Sequence, residues 1–100
     1  MKEKQIEEYL RKCVKDIGGK AYKFVSPGND GVPDRLVCLP NGRVIFVELK
    51  APGEKPRPLQ TKRIAELRAM QQTVVVLDSK EEVNKFIGYV SFAGVINHGV

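Results

Sequence analysis

Residues 34–50 read DRLVCLPNGRVIFVELK and follow directly on Gly31-Val32-Pro33. Two short runs rich in apolar and β-branched residues, Arg35–Leu39 and Val44–Lys50, flank Asn41-Gly42, and such runs read as strands. Asn-Gly is the dipeptide best suited to the positive φ angles of a tight hairpin, so the two strands are expected to pair antiparallel. Side chains two apart on a strand share a face, so Glu48 and Lys50 project together while Leu49 turns into the core. The short hairpin then brings Asp34, at its open end, beside Glu48 and Lys50.

Working outward, Ile6, Leu10, Cys13, Val14 and Ile17 recur at helical spacing, and Gly18-Gly19 supplies the stop. Ala21–Val25 reads as a strand, and Ser26 to Gly31 as a loop by its turn chemistry. After Lys50, Pro52, Pro56 and Pro58 break the chain into a loop carrying Lys55 and Arg57, and Leu59 to Met70 returns to helical spacing. Thr73–Leu77 is a buried strand reached through a helical crossover, which implies parallel pairing with Val44–Lys50. Ser79 and Glu82 form a capping box for a last helix running to about Phe86 or Ile87. Tyr89 to Ile96 is apolar and reads either as an edge strand or as a subunit contact. The order αβββαβα describes an α/β fold, a mixed β-sheet flanked by helices.

At 100 residues the chain holds one core, so residues 1–100 are expected to form a single domain. The net charge of +5 favours an anionic partner, and nucleic acid is the commonest one. Cys13 and Cys38 lack the paired spacing of a zinc site and read as buried free thiols. No stretch reaches the roughly 18 apolar residues of a membrane span, and the start lacks an apolar signal run, so an intracellular location is expected.

Two carboxylates and an amine at one end of a sheet repel or desolvate one another unless something is bound between them. Magnesium suits this set, because it takes one or two carboxylates and completes its octahedron with water and phosphate. Such an ion polarises a phosphoryl group and acidifies a bound water, while Lys50 orients that water or neutralises developing charge.

Gly31-Val32-Pro33-Asp34 followed by Glu48-Leu49-Lys50 resembles the PD-(D/E)xK nucleases. The residues around them, Ser26-Pro27-Gly28, Arg35-Leu36-Val37, Phe46-Val47 and Gln60, are similar to its VRR-NUC branch from the first helix to about Ile87. The resemblance implies a restriction-endonuclease-like core, with Asp34, Glu48 and the Leu49 carbonyl as metal ligands and Lys50 as the catalytic lysine. It also implies a glutamine opening the second helix, matched by Gln60, and a glutamate on the first helix.

Glu3, Glu7 and Glu8 are the candidates for that glutamate. At about 100° per residue, Glu8 falls opposite the apolar stripe and Glu7 at its edge near Val14; Glu3 also lies near the stripe but in a terminal turn prone to fraying. Glu7 is therefore the expected ligand.

The bland alternatives are concrete. Asp34, Glu48 and Lys50 could be a solvated edge, and Gln60 an ordinary first-turn residue. Lys23, Ser26, Arg35, Lys55, Arg57 and Lys62, with Arg63 beside them, are candidate phosphate contacts that carry meaning only as a group. Tyr22, Phe24 and Phe46 read as core rather than base-stacking platforms, and His98 stands alone with no catalytic partner.

The resulting expectation is an endonuclease using magnesium, with manganese as a substitute and no organic cofactor, that hydrolyses DNA with water as nucleophile. Small stand-alone VRR-NUC proteins resemble Holliday junction resolvases, which implies branched DNA as substrate and a symmetric homodimer. The alternatives are a monomeric flap-type nuclease and a non-catalytic basic nucleic-acid-binding module.

Overall fold

The computed structural model describes residues 1–98, with side chains through Ser91. Its elements are α1 (Glu3–Asp16), β1 (Lys20–Lys23), β2 (Arg35–Cys38), β3 (Val44–Leu49), α2 (Pro58–Ala69), β4 (Val74–Leu77) and α3 (Lys80–His98). The four strands lie in the order β1-β2-β3-β4. The β1–β2 and β2–β3 pairs are antiparallel, and β3–β4, joined through α2, is parallel.

One face of the sheet carries the main core. Ile6, Leu10 and Val14 of α1 and Val83, Phe86 and Val90 of α3 pack onto Ala21, Val37, Ile45, Val47, Leu49 and Leu77. Those strand residues are odd-numbered, as the two-residue period of a strand requires. The even-numbered face receives α2 through Ile64, but this single helix leaves the β1–β2 corner open. Tyr22 is 48% exposed there and Val44 44%, so Tyr22 is not the core residue its spacing suggested. Phe24 and Phe46 do pair, edge to face at 5.5 Å.

The stop of α1 is made as expected, and of the Ser79–Glu82 capping box the Ser79 half is present. Gly18 and Gly19 donate to the carbonyls of Lys15 and Val14 and stop α1, and the Ser79 hydroxyl accepts the Glu82 N–H at 3.1 Å to start α3. The last helix, however, does not stop near Ile87. It continues to His98, so Tyr89–Ile96 is helical and not an edge strand. An apolar run without alternation fits either structure, and the backbone hydrogen bonds of an established helix make continuation the cheaper choice. The side chains from residue 92 onward, His98 among them, lie outside the described residues.

The hairpin turn also differs in detail. Of Asn41 and Gly42, only Gly42 has positive φ, at +86°. Gly42 N–H donates to Leu39 O at 3.0 Å and Leu39 N–H to Arg43 O at 2.9 Å. This is a three-residue loop in which Pro40 and Asn41 occupy a type I turn and Gly42 takes the left-handed position after it. Cys13 and Cys38 are free thiols, half-buried rather than buried. Among the described residues, no helix is long and apolar enough to cross a membrane.

Candidate active site

The open end of the β2–β3 hairpin gathers the predicted trio. Glu48 is completely buried and Lys50 is 6% exposed, with the lysine Nζ 3.3 Å from Glu48 Oε2. The alignment is that of an ion pair and not of a hydrogen bond, and both Glu48 oxygens lack a hydrogen-bond partner. Burial, followed by the charge of Asp34, raises the Glu48 pKa to about 7, while Lys50 acts in the opposite direction. Leu49, between them, is buried in the core as its alternation predicts.

Asp34 is positioned by the strand it precedes. Its Oδ2 accepts the Leu49 N–H at 2.8 Å, so the carboxylate is clamped across the hairpin onto the backbone between Glu48 and Lys50. The register also shows which Leu49 group lacks a donor. Arg35 faces Val47 in the register, and two residues further along Pro33 comes opposite Leu49. Proline has no N–H to donate, so the Leu49 carbonyl receives no ladder hydrogen bond from that position. Asp34 thus takes the Leu49 N–H, and Pro33 leaves Leu49 O without a donor at the same end of the sheet.

The loop before Asp34 is seated on α2. Gly31 has φ +90°, and a Cβ there would lie 2.9 Å from Leu59 Cγ and 3.0 Å from Leu59 O, so only glycine permits this approach. Arg63 Nε holds the same loop through Asp30 O at 2.9 Å. Gln60 is 7% exposed and its Oε1 accepts the Arg57 N–H at 2.9 Å, closing the first turn of α2 beside this loop.

The first-helix glutamates divide differently from the expectation. Glu7 Oε2 accepts from Arg35 Nε at 2.8 Å, and Arg35 Nη1 also donates to Ala21 O at 3.1 Å. Arg35 thereby ties α1 to β1 and β2. The Glu3 pKa is raised by desolvation and then by the charge of Asp34, with Lys50 pulling it down. Fraying does not remove Glu3, because Gln5 Oε1 accepts the Lys2 N–H at 2.8 Å and secures the first turn.

Among the candidate phosphate contacts, Lys23, Lys55, Arg57 and Lys62 are exposed. Arg35 is spent on Glu7 and Ala21, Arg63 on Asp30 and Glu66, and the Ser26 hydroxyl accepts from Asn29 at 3.0 Å.

These donors fit a hard divalent cation. Two carboxylates, one with both oxygens unpartnered, and a carbonyl without a ladder partner form an all-oxygen set of the kind magnesium accepts. Among the described residues no group of three or more His, Cys, Asp or Glu side chains gathers around one point, so water and substrate would complete the shell.

A mixed sheet opening on Asp34, Glu48 and Lys50, with helices on both faces, defines a nuclease of the PD-(D/E)xK class. No family model matches the sequence. The chain is 59% identical over 81 residues to a protein of Acyrthosiphon pisum secondary endosymbiont phage 1 named "Putative nuclease p44", covering 81% of this chain and 87% of that one. It superposes with a TM-score of 0.81 on a solved structure described as a VRR_NUC domain, at 33% identity over 86% of this chain and 94% of the other. The chain belongs to the VRR-NUC family.

Proposed function

We propose that the protein is a magnesium-dependent, structure-selective DNA endonuclease, with manganese as a substitute ion, that hydrolyses phosphodiester bonds at Asp34, Glu48 and Lys50. The observation carrying this reading is the fully buried Glu48, whose two oxygens have no hydrogen-bond partner beside the Asp34 carboxylate. Lys50 offsets part of the charge, but a buried carboxylate whose two oxygens make no hydrogen bond still costs roughly a few kcal/mol, a cost that a bound cation would relieve.

Asp34, Glu48 and the Leu49 carbonyl would hold the cation, which when bound polarises the phosphoryl group and acidifies water. Asp34 is kept in place by Leu49 N–H, so it need not reorganise when substrate arrives. The Lys50 ammonium, anchored against Glu48, orients the attacking water and neutralises charge developing on the phosphoryl oxygens. The first-helix glutamate of the scheme is Glu3, since Arg35 already occupies Glu7. Gln60 acts by fixing the start of α2 against the Gly31 loop.

The substrate we infer is branched DNA, with the four-way junction first, cut by a homodimer whose two-fold axis presents two sites to paired strands. The family membership and the charge of +5 support this reading. Purified protein assayed on a four-way junction, a flap and a plain duplex, with and without magnesium, tests it. Magnesium-dependent junction cleavage is the expected result. A flap cut by monomer would replace the substrate, and binding without cleavage under either ion would end the enzymatic reading.

A further inference from the structure

A groove of about 640 Å³ lies on the outer flank of α1 where it meets β1, lined by Glu8, Arg11, Lys12, Lys15, Gly19, Lys20 and Ala21. Four of these residues are cations. Arg11 is paired with Glu8 at 2.8 Å, but among the described residues Lys12, Lys15 and Lys20 have no ion-pair partner. Lys12, Lys15 and Lys20 thus crowd one flank of α1 beside Arg11.

The groove is joined to the active site by the helix itself. Glu3, Glu7, Arg11 and Lys15 follow one another at four-residue spacing and so form one ridge along α1. Glu7 is held by Arg35, the residue next to Asp34, and Arg11 and Lys15 line the groove. At 1.5 Å per residue the basic end begins about 12 Å from Glu3 and ends about 18 Å from it. The ridge is acidic where a cation would sit and basic beyond it.

We propose that this groove holds the sugar-phosphate backbone of the DNA substrate a few nucleotides from the scissile phosphate. At about 3.4 Å of axial rise per nucleotide, 12–18 Å corresponds to roughly four or five nucleotides along a duplex strand. Charge complementarity selects the occupant: a row of phosphates relieves the repulsion among Arg11, Lys12, Lys15 and Lys20 by releasing condensed counterions. The Lys20 ammonium lies 4.7 Å above the exposed Tyr22 ring on the edge strand β1. The proposal rests on DNA being the substrate, and its test is kept separate from cleavage.

The experiment measures the affinity of the full chain for a labelled duplex and a four-way junction without divalent ions, across a salt series. Lys15→Gln/Lys20→Gln is compared with Lys80→Gln/Lys85→Gln, which removes the same charge from α3. The groove variant is expected to bind at least ten-fold more weakly near 0.1 M salt. Its slope of log affinity against log salt should be shallower than wild type by about 1.8, since each lost phosphate contact removes about 0.9. With magnesium and saturating DNA, its turnover should match wild type while KM rises. Equal slopes for wild type and the groove variant, or an equal loss in the α3 variant, would overturn the proposal. Wild type that binds with the full slope but never cuts would instead overturn the nuclease reading and leave the groove standing.

Discussion

At its closed end the backbone of the β2–β3 hairpin satisfies itself: Leu39 and Arg43 bond across the ladder, Gly42 turns the chain, and nothing lies within 4 Å of where a Gly42 side chain would begin, so the one orphan there is the buried Arg43 Nη1. About 17 Å along the strand, at the open end, Glu48 is buried without a hydrogen bond, Pro33 gives no N–H to Leu49, and Gly31 is pressed onto Leu59. The same two strands thus carry one end whose backbone closes on itself and one where a carboxylate, a proline and a crowded glycine gather. Departures concentrated at one end of an otherwise consistent element mark where stability is given up for binding.

The contrast is most exposed to cleavage assays. Asp34→Ala or Glu48→Ala should lower cleavage on the order of 10³-fold or more while leaving DNA binding without metal nearly unchanged, whereas Gly42→Ala should cut at the wild-type rate. Full activity in either carboxylate variant would remove the cation site. Lys50→Ala should lower turnover by about 10²-fold or more with metal affinity little changed, and an unaltered rate would take the amine out of the chemistry.

Stability sharpens the same comparison in the opposite direction. The folded Glu48 pKa of about 7 lies above its ordinary value of 4.5, so the folded protein retains a proton that the unfolded chain releases between those values. Metal-free stability should therefore fall as pH rises from about 4.5 to 7, by at most about 3 kcal/mol from this group, and level off above. Glu48→Gln should flatten that profile and raise the melting temperature of the metal-free protein at pH 8. Magnesium should restore stability to wild type alone, with an apparent affinity that climbs through pH 7. A melting temperature insensitive to pH over this range would show that Glu48 is not strained.

The smallest effects separate the two glycines. Gly42→Ala should cost about 1 kcal/mol, the left-handed backbone penalty alone. Gly31→Ala carries the same penalty and the contact with Leu59, so it should cost more in denaturant unfolding and lower cleavage as well. Equal losses in both would mean that α2 yields freely to the loop.

Much of this was legible because it is local. The stripe of Ile6, Leu10 and Val14, the Glu48-Leu49-Lys50 alternation, the turn after Leu39 and the Ser79 cap depend on neighbours within one or two turns of chain. What escaped depends on distant partners. Arg35 takes Glu7 across 28 positions, a partner that helix angle alone could not name. Gly31 meeting Leu59 and the groove between α1 and Lys20 are likewise products of packing. Tyr22 was misread because strand spacing tells which face a side chain takes, not whether a helix arrives to cover it. The length of α3 was hidden by an apolar run with no polar beat to give its period.

The ladder places the carbonyls of Ala21 on β1 and Val74 on β4 outward, at the two rims of the sheet, and each accepts from an arginine: Ala21 from Arg35 at 3.1 Å, Val74 from Arg68 at 2.8 Å. A foreign strand seeking to lengthen the sheet must first displace a guanidinium at either rim. The four apolar residues of β4 are shielded in the same way from seeding fibres.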